Sequence, residues 1–216
     1  MSAMAQLIDL FIHLDRHLAA LVSWAGTWSY VLLFLVIFCE TGLVFMPILP
    51  GDSFLFAAGS LAAIGGLNIW VLVGSLFLAA FFGNEVNYHI GRTVGLKILE
   101  GPFRRWVSKE HLHKAEAFFA KYGARAIVLA RFMPIVRTVV PFVAGIGKME
   151  PRRFGMYNAA GAAVWVSLFT LAGYFFGNIP SVKENFSLVI LAIIVISFIP
   201  PVVEWWRARS DKKDAS

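Results

Sequence analysis

Residues 45–52 read FMPILPGD, and residues 132–141 read FMPIVRTVVP. Both copies of FMPI lie in apolar surroundings, yet each stretch holds two prolines and at least one charge. Proline lacks an N–H and crowds the preceding helical turn, so neither stretch suits an unbroken helix. A spanning helix needs about 20 apolar residues. Before Pro47 the run YVLLFLVIF, 30–38, meets Cys39-Glu40-Thr41-Gly42 and then resumes to Ile48. After Pro50 the apolar piece Phe54–Ile64 is too short to span and stops at Gly65-Gly66. Such pieces predict a re-entrant hairpin over about 40–66, broken at Pro47, Pro50 and Gly51. Ala126–Gly147, interrupted by Arg131, Pro134, Arg137 and Pro141, predicts a second over about 125–148. Residues 30–48 either span or form one arm of the first hairpin.

Hydrophobic residues make up 59% of the 216-residue chain and charged ones 15%. Mean hydropathy is +0.73. Soluble domains are nearer half apolar and a quarter charged. The expected class is an all-α polytopic membrane protein forming one unit. The single cysteine, Cys39, excludes an internal disulfide. The net charge of +6 speaks to loop orientation more than to nucleic acid, which is not an expected partner. The start, MSAMAQLIDLFIHLDRH, has no early basic cluster and no cleavage-like site, so no cleaved leader is expected.

Residues 1–28 predict an N-terminal amphipathic helix at the interface, with Leu7, Leu10, Phe11, Leu14 and Leu18 on one face. Residues 29–204 form the transmembrane unit. Within it Ile69–Phe82, extendable to His89, and Phe154–Phe176 and Phe186–Val203 are apolar. Residues 92–124 hold many basic residues and predict a cytoplasmic amphipathic segment, with a helix capped at Ser108 and stopped at Gly123. Lys148, Arg152 and Arg153 form a second basic turn, and residues 205–216 a basic tail. The positive-inside rule places these turns and the C-terminus in the cytoplasm.

The halves repeat weakly. FMPI recurs at an offset of 87, while Ala58-Gly59 matches Ala144-Gly145, and Tyr88 and Gly91 match Tyr174 and Gly177, at 86. With 92–124 cytoplasmic, the two spans that end in these Tyr-x-x-Gly motifs run in opposite directions. The expectation is an inverted repeat with two facing hairpins and a site near the midplane.

The first hairpin carries Glu40 and Asp52, the second Arg131 and Arg137. Each charge at the bilayer centre costs roughly 2.5–3.5 kcal/mol, so the four must pair, line a wet cavity or bind something. One reading is a pair of ion bridges that lock the hairpins. The other is a site for a phosphate. Arginine donates two parallel hydrogen bonds and keeps its charge, while the acids can exchange protons.

FCETGLVFMPILPGDSFLFAAG, GNEVNYHIGR, ARFMPIVRTVVPFVAG and YNAAGAAVWVSLFTLAGYFFG resemble the bacterial DedA family of inner-membrane proteins, also called SNARE-associated or VTT-domain proteins. The likeness covers roughly residues 5–205. It implies two facing re-entrant hairpins and translocation of undecaprenyl phosphate or phospholipids, linked to the proton motive force and envelope homeostasis. By motif position it implies proton-coupling acids at Glu40 and Asp52. Arg131 and Arg137 would bind substrate, with Pro134 and Thr138 of the same block.

The expected function is therefore a flippase or scramblase for a lipid phosphate. Its expected partners are membrane lipids and protons, with a homodimer possible. A proton-coupled small-ion or drug antiporter is the alternative, but it gives two arginines no specific work. No nucleophile elbow and no His-Glu-x-x-His block stands in the chain, so neither an enzyme nor a metal or cofactor site is expected. Glu85, Asn87, Tyr88 and Arg92 are secondary candidates for the cavity lining. Trp165 reads as a belt or packing residue.

Overall fold

A computed structural model describes residues 24–43, 51–100, 109–133, 136–185, 188–189, 191–193 and 195. Most of the N-terminal helix, Pro47, Pro50, Pro134 and the tail at 205–216 lie outside the described residues. Every regular element described is helical: α1 (Ser29–Gly42), α2 (Gly51–Ala63), α3 (Ile69–Glu100), α4 (Lys109–Tyr122), α5 (Ala126–Ala130), α6 (Val136–Ile146), α7 (Pro151–Phe176) and α8 (Pro180–Glu184). Stretches within α3 and α7, Ile69–Thr93 and Pro151–Phe176, are long and apolar enough to cross a membrane.

Local chemistry explains the boundaries. Gly65 at φ +86° and Gly123 at φ +56° adopt left-handed backbone where α2 and α4 stop. Pro151 opens α7 behind an extended Glu150, where its missing N–H costs nothing. Two expectations need correction. The long helix does not end near His89. Nothing in the sequence stops it before Gly101-Pro102, so the first part of 92–124 is helical continuation rather than loop. Pro141, expected as a hairpin break, lies inside α6, which runs through it to Ile146. Its ring removes one helical N–H while the flanking turns keep theirs.

α1 starts beside the turn before α3, where the Tyr30 hydroxyl accepts a hydrogen bond from the Asn68 N–H at 2.6 Å. It ends at Glu40–Gly42, beside Gly83 of α3. α2 begins there too, with the Gly51 N–H on the Glu40 carboxylate at 3.1 Å, and returns to the level of Asn68. At ~20 Å each, these helices are shorter than a ~30 Å hydrocarbon layer. α6 starts near Asn87 of α3 and ends against Gly95, close to the other end of that helix.

The packing is crosswise. α2 lies along α7, and α6 lies along α3. A Cβ on Gly59 would strike the Thr170 carbonyl and reach 3.0 Å from the Tyr174 nitrogen. A Cβ on Gly145 would strike the Tyr88 carbonyl and reach 2.7 Å from the Arg92 nitrogen. These are the Gly and Tyr positions that recur at an offset of 86.

Two apolar clusters result. One joins Leu33 and Ile37 of α1, much of α2, Leu72–Ala80 of α3 and Ala162–Val166 of α7. The other joins Tyr88, Phe118, Ala126–Ala130, much of α6 and Phe154. Along α3 they leave a gap between Ala80 and Tyr88, and along α7 between Phe154 and Ala162. The buried polar residues Asn84, Asn87 and Asn158 fall in those gaps.

Gly59→Ala and Gly145→Ala should each lower thermal stability in detergent by roughly 1–3 kcal/mol, because the added methyl meets backbone that cannot yield. Gly74→Ala, whose Cβ would meet nothing within 4 Å, should leave the melting temperature unchanged or raise it.

Candidate functional site

The helix ends meet between the two apolar clusters. Glu40 comes from the last turn of α1, Asp52 from the first turn of α2, and Arg137 from the first turn of α6. All three are buried, at 1%, 4% and 7% exposure. Arg137 bridges the two acids: one amino group donates to Oε1 of Glu40, the other to Oδ1 of Asp52 at 3.2 Å. Each carboxylate also has a neutral donor. Glu40 Oε1 accepts the Gly51 N–H at the start of α2, where the helix dipole favours negative charge. A Cβ at Gly51 would come within 2.5–2.7 Å of both Glu40 oxygens, so any side chain here would push that carboxylate aside. Asp52 Oδ1 accepts the Trp165 indole N–H at 2.7 Å.

Arg131 does not join this bridge. The expectation of two acids matched to two arginines is half met. Arg131 follows α5 and is 3% exposed. Its guanidinium donates to the Ala80 carbonyl at 3.2 Å and to Oδ1 of Asn158 at 2.6 Å. Turning the Asn84 amide lets its oxygen accept from Arg131 at 3.0 Å. Among the described residues no carboxylate pairs with Arg131 directly. Asn158 links it onward, its amide nitrogen donating to Glu85 at 3.0 Å and to the Phe81 carbonyl at 3.0 Å. Beyond Glu85 lies half-exposed His89, 3.9 Å away.

The Trp165 indole lies close to both arginines. Its ring centroid lies 5.5 Å from the Arg137 guanidinium carbon and 5.9 Å from that of Arg131, within cation–π range. Thr41, Asn84, Arg131, Arg137, Thr138 and Trp165 line a cavity of about 10 Å³, enough for one water. Asn87 secures the floor, donating to the Thr41 carbonyl at 3.3 Å and the Thr138 carbonyl at 2.8 Å.

The structure thus brings together Glu40, Gly51, Asp52, Arg131, Arg137 and Thr138, with Asn87 beneath and Glu85 at one remove. Tyr88 and Arg92 belong elsewhere. The Tyr88 hydroxyl donates to the Met149 carbonyl, and Arg92 donates to that carbonyl at 2.8 Å and to the Tyr88 oxygen at 2.7 Å. They tie α3 to the turn between α6 and α7. Sequence reasoning overlooked Asn158 and the part played by Trp165. Their spacing of seven residues, two helical turns, puts both on one face of α7 and was the available signal.

The VTT domain pattern matches residues 49–175. The chain belongs to the VTT-domain (DedA) family. It is 51% identical over 205 residues to protein DedA of Escherichia coli (strain K12), covering 94% of each chain. It is 38% identical over 181 residues to an uncharacterized membrane protein of Mycobacterium leprae (strain TN), covering 83% of this chain and 81% of that one. It is 33% identical over 183 residues to the inner membrane protein YghB of E. coli (strain K12), covering 84% and 80%. No solved structure matches this VTT-domain chain.

Arg137→Ala strands two buried carboxylates and should cost roughly 3–5 kcal/mol of stability. Arg137→Lys should recover only part of that, since an ammonium lacks the fork that bridges two acids. Arg131→Met should cost less, because the groups it leaves behind are neutral; melting curves in one detergent would rank the three.

Proposed function

We propose that this protein works in the bacterial inner membrane and moves a lipid phosphate, a prenyl phosphate or a phospholipid, across it. One observation carries the reading: Arg131 is a buried cation beside a cavity, held by neutral acceptors, while both acids are committed to Arg137. A buried charge without an ionic partner is costly and marks a place for a counter-ion. A phosphate, anionic and rich in acceptor oxygens, fits a guanidinium fork.

The depth suits transport. Ala80, which accepts from Arg131, stands roughly 16 Å from the start and roughly 20 Å from the end of the apolar stretch of α3. Crosswise packing, recurrent Gly and Tyr contacts and hairpin ends at opposite ends of α3 support two inverted, re-entrant halves. The names of the relatives, membrane and inner membrane proteins, support the location.

The cavity holds a water but not a phosphate, so binding requires rearrangement. Protonation of Glu40 or Asp52 removes one of the two charges that hold Arg137. Arg137 then turns to the phosphate beside Arg131, while the lipid tail stays in the bilayer. Reionisation restores the bridge and releases the headgroup. A proton gradient would drive this cycle.

Purified protein in liposomes should move a prenyl phosphate or a phospholipid between leaflets, faster with an imposed pH gradient. Arg131→Ala should slow movement at least tenfold, and Glu40→Gln should abolish the response to the gradient. Transport of a soluble cation with no lipid movement would transfer the assignment to an ion antiporter.

A further inference from the structure

Trp165 is 1% exposed and buried deep in α7, the setting of an ordinary core tryptophan. Its contacts are not ordinary. The indole N–H is spent on an oxygen of Asp52 that Arg137 also uses, at 2.7 Å against 3.2 Å. Its ring has both guanidinium carbons within 6 Å of its centroid. A single side chain therefore touches three of the four charged groups at the centre of the protein.

We propose that Trp165 is the positioning residue that allows Arg137 to leave Asp52 for a bound phosphate. Arginine and indole compete for the same carboxylate oxygen. When Arg137 turns away, Asp52 still has a donor, so its separation from the cation is not opposed by full desolvation. Glu40 has the parallel device in the Gly51 N–H, a main-chain donor. The aromatic ring meanwhile attracts both like-charged guanidiniums. They can then approach one phosphate without first losing their packing. The inference rests on the lipid-phosphate reading and adds to it the residue that sets how easily Arg137 is released.

The test is binding of farnesyl phosphate to the full chain in nanodiscs, with farnesol as the phosphate-free control. Wild type should prefer farnesyl phosphate by at least tenfold. Trp165→Phe keeps an aromatic face but removes the donor. Arg137 then carries more of the Asp52 charge, and affinity should fall several-fold. In an Asp52→Asn background, where position 52 no longer holds Arg137 with a charge and only Glu40 does, the same change should alter affinity less than twofold. A packing role would weaken binding equally in both backgrounds, and that result, or no effect in either, overturns the assignment. Equal binding of farnesyl phosphate and farnesol by wild type removes the lipid-phosphate reading, and this inference with it. A readout on the unmutated protein covers the case in which Trp165→Phe does not fold. The indole ¹⁵N–¹H signal of Trp165 should shift on addition of farnesyl phosphate and stay still with farnesol. An unmoved signal under saturating farnesyl phosphate overturns the proposal.

Discussion

Arg137 holds three helix ends together. Glu40 closes α1, Asp52 opens α2 and Arg137 opens α6, so one guanidinium joins chain segments roughly a hundred residues apart. Burying these groups gains little over apolar packing, but removing one partner leaves charge with no water to receive it. The bridge works more as an address than as glue. It fixes which helix ends meet and at what depth. The neutral donors from Gly51 and Trp165 then allow it to loosen without stranding an acid.

The two apolar clusters give this bridge its setting. Each is built mostly at one end of the long helices, and the polar residues fill the interval between them. The interval is narrow and nearly dry. Electrostatic interactions there are stronger than at a surface, and small changes in protonation or ligand have large effects on helix contacts. Among the described residues, Arg131 has amide and carbonyl hydrogen-bond partners and the Trp165 ring beside it in that interval. An anion arriving there would meet a cation already desolvated and aimed.

Much of this was legible in the letters. FMPILPGD and FMPIVRTVVP announced broken segments because proline and glycine act locally, and Glu40, Asp52 and Arg137 were conspicuous because charge is rare in apolar runs. Gly123 and Gly65 stopped helices where left-handed backbone was needed. Partner choice was not legible. Counting charges suggested two ion pairs, but Asn84 and Asn158, unremarkable in a helix, supply the oxygens that claim Arg131. Trp165 looked like any membrane tryptophan, since nothing in its neighbours points to an acid more than a hundred residues earlier. Pro141 misled in the other direction, because turns on either side of a proline can carry a helix past it.

The crosswise packing of α2 on α7 and of α6 on α3 also constrains how the protein can be made. When the ribosome has delivered α1, α2 and α3, Asp52 has met neither Arg137 nor Trp165, and the glycine face of α2 has no α7 to rest on. The N-terminal half therefore gains its contacts with Arg137, Trp165 and α7 only once the C-terminal half has been made.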